Sequence, residues 1–125
     1  MRDLTSKVDV KASVAPAAHT ASSNGSSVDL QDYDSAVVAF VPGTITDGTH
    51  TPKVQDSPDG SAWTDVAAAD QQGTLAALAS NVPQKVGYAG NQRYVRAVVT
   101  VAGATTGGVY GAVVLAGDRY LQPSA

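Results

Sequence analysis

A chain of 125 residues is the size of one domain, and with no Glu, 12 Gly, 6 Pro and 18 Val against six Leu it lacks the strong helix formers of a bundle, a coiled coil or a transmembrane helix. The apolar fraction is 43%, but 21 of those residues are Ala, which leaves a thin core of larger side chains. The net charge of −3 and eight scattered Lys and Arg argue against a nucleic-acid partner, and the lack of Cys removes a disulfide framework, a thiolate nucleophile and any Cys-based zinc site.

The first 27 residues stand apart. Residues 1–7 carry charge with no apolar stretch behind them, so a cleaved signal peptide is not expected. Residues 8–14 alternate Val8, Val10, Ala12 and Val14 against Asp9, Lys11 and Ser13, the period of a strand. Residues 15–27 are Ala, Ser, Thr, Pro, His, Asn and Gly, a composition that buries little surface, so residues 1–27 read as an extended N-terminal arm.

From Val28 onward the pattern is regular. Residues 35–41, SAVVAFV, form a continuous apolar run closed by Pro42-Gly43, as expected of a strand buried on both faces. A turn-rich connection over residues 43–52 follows. Residues 53–56 and 61–66 flank Ser57-Pro58-Asp59-Gly60, the chemistry of a hairpin turn, with Trp63 and Val66 expected as apolar anchors of the second strand opposite Val54. Residues 67–81 are Ala-rich but interrupted by Gly73, which predicts one turn of helix and then a short strand. Residues 82–88, 93–101 and 109–116 complete the strands. The clearest is RYVRAVVTV, with Val95, Ala97, Val99 and Val101 on one face and Tyr94, Arg96, Val98 and Thr100 on the other. Seven or eight short strands with turns about every ten residues predict an all-β fold, an antiparallel β-sandwich of jelly-roll or Ig-like type spanning residues 28–125.

Groups that exchange protons or bind metals are scarce. His19 and His50 fall in polar segments and read as solvated loop histidines, and no Gly-x-Ser-x-Gly elbow exposes a nucleophile. Asp29, Asp32 and Asp34 could offer oxygen ligands to calcium, but the spacing lacks the Gly and closing Glu of an EF-hand loop, so a polar turn is the expected reading. Trp63 could stack on a sugar, although its alternation with Val66 favours the core. Tyr88, Tyr94, Tyr110 and Tyr120 are too scattered to define a groove. No catalytic residue, cofactor or metal is therefore expected, and the chain does not read as an enzyme.

Several strings carry a resemblance: Pro16-Ala17-Ala18-His19-Thr20-Ala21, Asn24-Gly25-Ser26-Ser27-Val28-Asp29-Leu30, Tyr33-Asp34-Ser35-Ala36 and Gly43-Thr44-Ile45-Thr46-Asp47-Gly48. With the run from Asp56 to Val66 and Arg93-Tyr94-Val95-Arg96-Ala97-Val98-Val99-Thr100, the chain resembles small virion proteins of tailed bacteriophages and prophages. Asp32 departs from the pattern, standing where a simpler Leu-x-Gly-Tyr turn would have Gly. The resemblance implies a structural component of the head or head–tail region, located in the virion and assembled in the host cytoplasm. The first expectation is a capsid decoration (cement) protein stabilising the head, with the major capsid protein or other virion proteins as partners. Such a protein is expected to be a homo-oligomer on the particle, with no nucleic acid and no membrane involved. A head–tail joining or tail-associated protein is the alternative, and a carbohydrate-binding module using Trp63 or tyrosines is an alternative of another class. The arm is expected to be the assembly element, with Leu4, Val8, Val10 and Val14 added to a partner's sheet edge and Arg93 and Arg96 as further interface residues.

Overall fold

The computed structural model describes residues 8–31 and 33–119. In chain order the strands are β1 (Val8–His19), β2 (Ser23–Asn24), β3 (Val28–Asp29), β4 (Tyr33–Ile45), β5 (Thr49–Ser57), β6 (Thr64–Asp65), β7 (Gln71–Gln72), β8 (Gln84–Tyr88), β9 (Tyr94–Ala102) and β10 (Gly108–Arg119). The helical turn expected within residues 67–81 is a three-residue 3-10 turn, Ala68–Asp70, and β7 follows at once. All strand pairings are antiparallel, and two sheets pack face to face as an all-β sandwich.

The first sheet runs in the order β1-β10-β4-β8-β7, and the second β2-β9-β5-β6 with β3 also paired to β9. The alternation in β9 holds in part: Val95, Ala97 and Val99 are buried against the first sheet and Arg96 and Thr100 face outward, but Val98 of the outward row is also buried, at 4% exposure. Ala36, Val38 and Phe40 of β4 face inward with Ala112, Val114 and Ala116 of β10, Val86 of β8 and Val54 of β5. These side chains form one contiguous core with Tyr88 and Tyr110 at its two ends.

Several expectations are corrected. The described part of the N-terminal stretch is no free arm, because β1 pairs with β10 of the same chain over its whole length. Two register shifts, between Ala12 and Val14 and between Val14 and Ala17, break the simple alternation. Val14 therefore turns into the core at 4% exposure while Val10 stays 65% exposed on the outside. At the first of these bulges the Ser13 hydroxyl donates to the Ser26 carbonyl (2.9 Å) and accepts from the Ala97 amide (2.9 Å), clasping the edge of the first sheet to β9 of the second. Pro16 and the two bulges also make this edge a poor template for another strand. Leu4 lies outside the described residues.

The run at residues 35–41 is not buried on both faces. Its inward row is, but Val37 and Ala39 are half-buried and Val41 is 56% exposed, because no layer among the described residues covers the outside of the first sheet. Nor does β4 stop at Pro42-Gly43. It continues to Ile45 beside β10 after β8 has ended opposite Phe40, so Pro42 sits where β4 has one neighbour and its missing N–H costs no ladder bond. The hairpin around Pro58 forms as expected: Ser57 Oγ accepts from the Asp59 and Gly60 amides, Asp59 Oδ1 accepts from Ser61 and Ala62, and the Val66 amide donates to the Val54 carbonyl. These backbone donors, Ala62 first, hold the Asp59 carboxyl below its usual range. Trp63, however, precedes β6 and is only half-buried, outside the core.

Candidate functional site

The two outer surfaces of the sandwich differ in chemistry. On the first sheet the outward rows are Val8, Val10 and Ala12 of β1, Val109, Gly111, Val113 and Leu115 of β10, and Ser35, Val37, Ala39 and Val41 of β4. Among the described side chains of this face the charged one is Lys85 of β8, at the far side beside Ala39, while Arg119 at the end of β10 is described by its backbone alone. With strands about 4.8 Å apart and about 3.3 Å per residue, the three apolar rows cover on the order of 400 Å². Exposed apolar patches of that size are commonly functional.

The middle of this face is hollow. A groove of about 250 Å³ is lined by Pro16, Val41, Gly43, Val109, Gly111 and Val113 together with the strand backbone beneath them. Gly111 is its floor: a Cβ there would lie 3.1 Å from the Pro16 ring, so any larger residue would fill the groove or push β1 away.

On the second sheet the outward rows are bonded to one another. Lys53 pairs with Asp65 (3.1 Å), Gln55 donates to Asp65 (2.8 Å), and the Arg96 guanidinium donates through two nitrogens to Gln55 Oε1 (3.0 and 2.7 Å). That same guanidinium lies 4.4 Å from the centre of the Trp63 ring, so Trp63 lies beneath a cation as a lid on the sheet surface. Gln55, then Lys53, holds the Asp65 carboxyl below its usual range, and partial burial lowers Arg96. Arg93 grips Asp29 with two bonds (3.0 and 2.8 Å) and depresses its pKa. Both arginines expected at an interface are thus engaged within the chain.

The histidines are not solvated loop residues. His50 is 1% exposed, with Nε2 3.0 Å from the Asp47 carbonyl and Nδ1 3.1 Å from the Tyr110 hydroxyl. A carbonyl can only accept, so in the neutral ring Nε2 carries the proton and Nδ1 accepts from Tyr110. His19 stacks on the other side of Tyr110 with ring centres 4.5 Å apart, its Nδ1 3.1 Å from Ser23 Oγ. Burial pushes the Tyr110 hydroxyl up, and this hydroxyl is why a polar ring at position 50 belongs in the core. Nearby, the Asp47 carboxylate accepts from the amides of Thr105, Thr106 and Gly107, which lowers its pKa and ties the β4–β5 turn to the β9–β10 loop.

At the opposite end of the sandwich, the turn before β4 and the β8–β9 loop enclose a cleft of about 650 Å³. Its lining includes Gln31, Tyr33, Tyr88, Asn91, Gln92 and Arg93. Tyr88 bridges the two sheets, donating to Asp56 (2.8 Å) and accepting from the Gln92 amide (3.0 Å), and burial raises its pKa. Of the acidic cluster, only Asp29 has a described side chain. Asp29 is held by Arg93 and accepts from the Gln31 amide, Asp32 lies outside the described residues, and Asp34 is described by its backbone alone. Among the described residues no group of three or more His, Asp or other ligating side chains is placed to hold a metal ion.

The sequence reading puts Val8, Val10 and Val14 on one apolar face of an arm meant for a partner's sheet edge. Val8 and Val10 lie instead on an outward row of the first sheet and Val14 in the core, and the rows beside them on β4 and β10 were missed. The signal was present in SAVVAFV and in Val109–Leu115, whose apolar residues are too continuous for strands with one wet face. No protein-family model matches this chain, and a search of curated proteins gives no match.

Proposed function

We propose that this chain is a structural protein of a tailed-bacteriophage virion, a capsid decoration protein that seats the outer face of its first sheet on the major capsid protein. One observation carries the reading: β4 and β10 have the composition of strands covered on both sides, yet the described residues cover them on one side only. Exposed apolar surface costs roughly 25 cal/mol per Å² relative to burial, so the face gains by finding a cover. The Gly111 groove would receive one apolar side chain of the partner as an anchor.

The patch is about half of the roughly 800 Å² per partner in a standard interface. A face of that size is weak alone and suits a repeating lattice, where neighbouring copies add their contacts. The resemblance of the chain to small phage virion proteins supplies the class of lattice.

The test is to image intact particles by cryo-electron microscopy with this chain present and deleted. On the order of hundreds of copies on the shell, with the first sheet facing inward, is the expected result. About six or twelve copies at one vertex would instead assign a head–tail joining role. Density that presents the second sheet to the shell would overturn the docking face.

A further inference from the structure

We propose that Asn24 is a site of spontaneous deamidation, reached when the β2 edge opens, and that its conversion loosens the clasp joining the two sheets. Three asparagines occur in the chain, Asn24, Asn81 and Asn91, and Asn24 alone precedes glycine. Deamidation begins when the next residue's backbone nitrogen attacks the side-chain amide carbon, so a following residue without Cβ removes the main steric barrier. Val82 after Asn81 is β-branched and Gln92 after Asn91 is long, which leaves both of those pairs hindered.

Packing, rather than a turn, puts glycine at position 25. A Cβ there would fall 2.3 Å from Ser13 Oγ and 2.5 Å from the Ala97 carbonyl oxygen, closer than such atoms approach. The clasp therefore demands the one residue that makes Asn24 labile. Its bonds are mutual: the Gly25 amide donates to the Ala97 carbonyl (2.8 Å), the Ser26 amide to the Ser13 carbonyl (2.7 Å), and the Ser13 hydroxyl to the Ser26 carbonyl (2.9 Å).

These same bonds guard the site. While the Gly25 N–H is bonded to Ala97 its proton is withheld from solvent, and Asn24, paired with Val98, is held extended instead of folded back on the next nitrogen. The guard is local. β2 contributes two residue pairs at the border of the second sheet and the Asn24 side chain is exposed, so fraying of this edge opens the site without unfolding the core. The Asp47-Gly48 and Asp59-Gly60 pairs are poorer sites, because backbone amides hold their carboxylates ionised and an ionised carboxylate resists attack.

The step balances with water as its co-reactant. The Gly25 nitrogen gives its proton to solvent and bonds to Asn24 Cγ, the bond from Cγ to the side-chain nitrogen breaks, and ammonia leaves. Water then cleaves the cyclic imide, and nothing is oxidised or reduced. Cleavage at Cγ gives Asp. Cleavage at the main-chain carbonyl gives isoaspartate, in which the backbone runs through the former side chain and is one carbon longer. Either product adds a negative charge to a chain already at −3, and the isoaspartyl product shifts Gly25 and Ser26 away from Ala97 and Ser13. The inference does not rest on the docking face, because β2 belongs to the second sheet.

The experiment incubates the full chain in mildly alkaline buffer, folded and in denaturant, and follows each asparagine by peptide mass spectrometry with electron-transfer fragmentation, which separates Asp from isoaspartate. In denaturant Asn24 should convert about tenfold or more faster than Asn81 and Asn91. In the folded chain Asn24 should still convert first, but about tenfold or more slower than in denaturant, with hydrogen exchange of the Gly25 amide slowed in step. The isoaspartyl fraction, isolated by anion exchange, should melt below the unconverted chain. Asn24→Gln, carried through the same incubation, should keep its melting temperature. The proposal is overturned by a folded chain that never converts while the denatured one does, by equal rates in the two states, or by Asn81 or Asn91 converting as fast as Asn24. An isoaspartyl fraction that melts like the parent would overturn the link to the clasp.

Discussion

The two outer faces of this sandwich share a fold and a strand chemistry but not a fate. On the second sheet Lys53, Gln55, Asp65, Arg96 and Trp63 satisfy one another, so that face is complete in water. On the first sheet Val10, Val41 and Val109 are exposed, Val37, Val113 and Leu115 beside them are half-buried, and no described strand lies above them. A partner docking on the second sheet would have to desolvate paired polar groups for little return, whereas one docking on the first displaces only water from apolar surface. The difference teaches that charge is a poor guide to a free surface here: Arg93 and Arg96 are already engaged within the chain.

The comparison can be broken in four places. The largest effect is expected from deleting residues 1–27, which removes β1 with buried Val14 and the Ser13 clasp. The product should lack a cooperative thermal transition. A cooperative melt would show that the first sheet stands without its outer strand. Next, Val41→Asp with Leu115→Lys should reduce attachment to particles by about a hundredfold or more, because unpaired charges would be buried in the contact. Its stability should stay within about 1 kcal/mol of the parent, and Arg96→Ala should attach normally. If Arg96→Ala detaches and the double variant does not, the assignment of faces is reversed.

A smaller effect is expected at Trp63. Truncation to Ala should cost about 1–2 kcal/mol in chemical denaturation, from a half-buried ring and its cation contact, against roughly 3–5 for a core Trp. A loss at the upper value would place Trp63 among the core residues. The smallest effect is in the pH dependence. Asp29 and Asp65 have folded pKa values below their unfolded ones, so their contribution is full above the unfolded value near 4 and fades as pH falls through the folded value. The melting temperature should hold from about pH 7 to 5 and decline below about 4, and Asp29→Asn with Asp65→Asn should flatten that acid limb. A decline that the double substitution leaves unchanged would move the acid sensitivity elsewhere, with Asp47 and its three amide donors the next place to look.

Most of the strands were legible because their signals are local. RYVRAVVTV alternates except at Val98, and Ser57-Pro58-Asp59-Gly60 carries its turn chemistry within four residues. What the sequence hid depends on residues far apart in the chain. The burial of His50 follows from Tyr110, sixty positions away, and the role of Trp63 follows from Arg96. The N-terminal stretch looked too poor to pack because its own side chains are small. It packs because β10 supplies a ladder on both sides of the two bulges and Ser13 needs only a hydroxyl to reach the second sheet. The cleft escaped notice for the same reason: Tyr33 and Tyr88 are neighbours only once β4 and β8 have paired.

The pairing of β1 with β10 also sets an order of events during synthesis. Val8 finds its partner only when Gly117 has been made, so the opening strand waits for nearly all of the described chain to emerge. Until then β4, which β10 flanks on the other side, can pair with β8 but not complete its sheet. A nascent chain with this connectivity cannot finish its fold piecemeal as it is translated. It closes in one late step governed by contacts between its distant ends, the kind of topology that folds slowly and leaves apolar strands open in the interval.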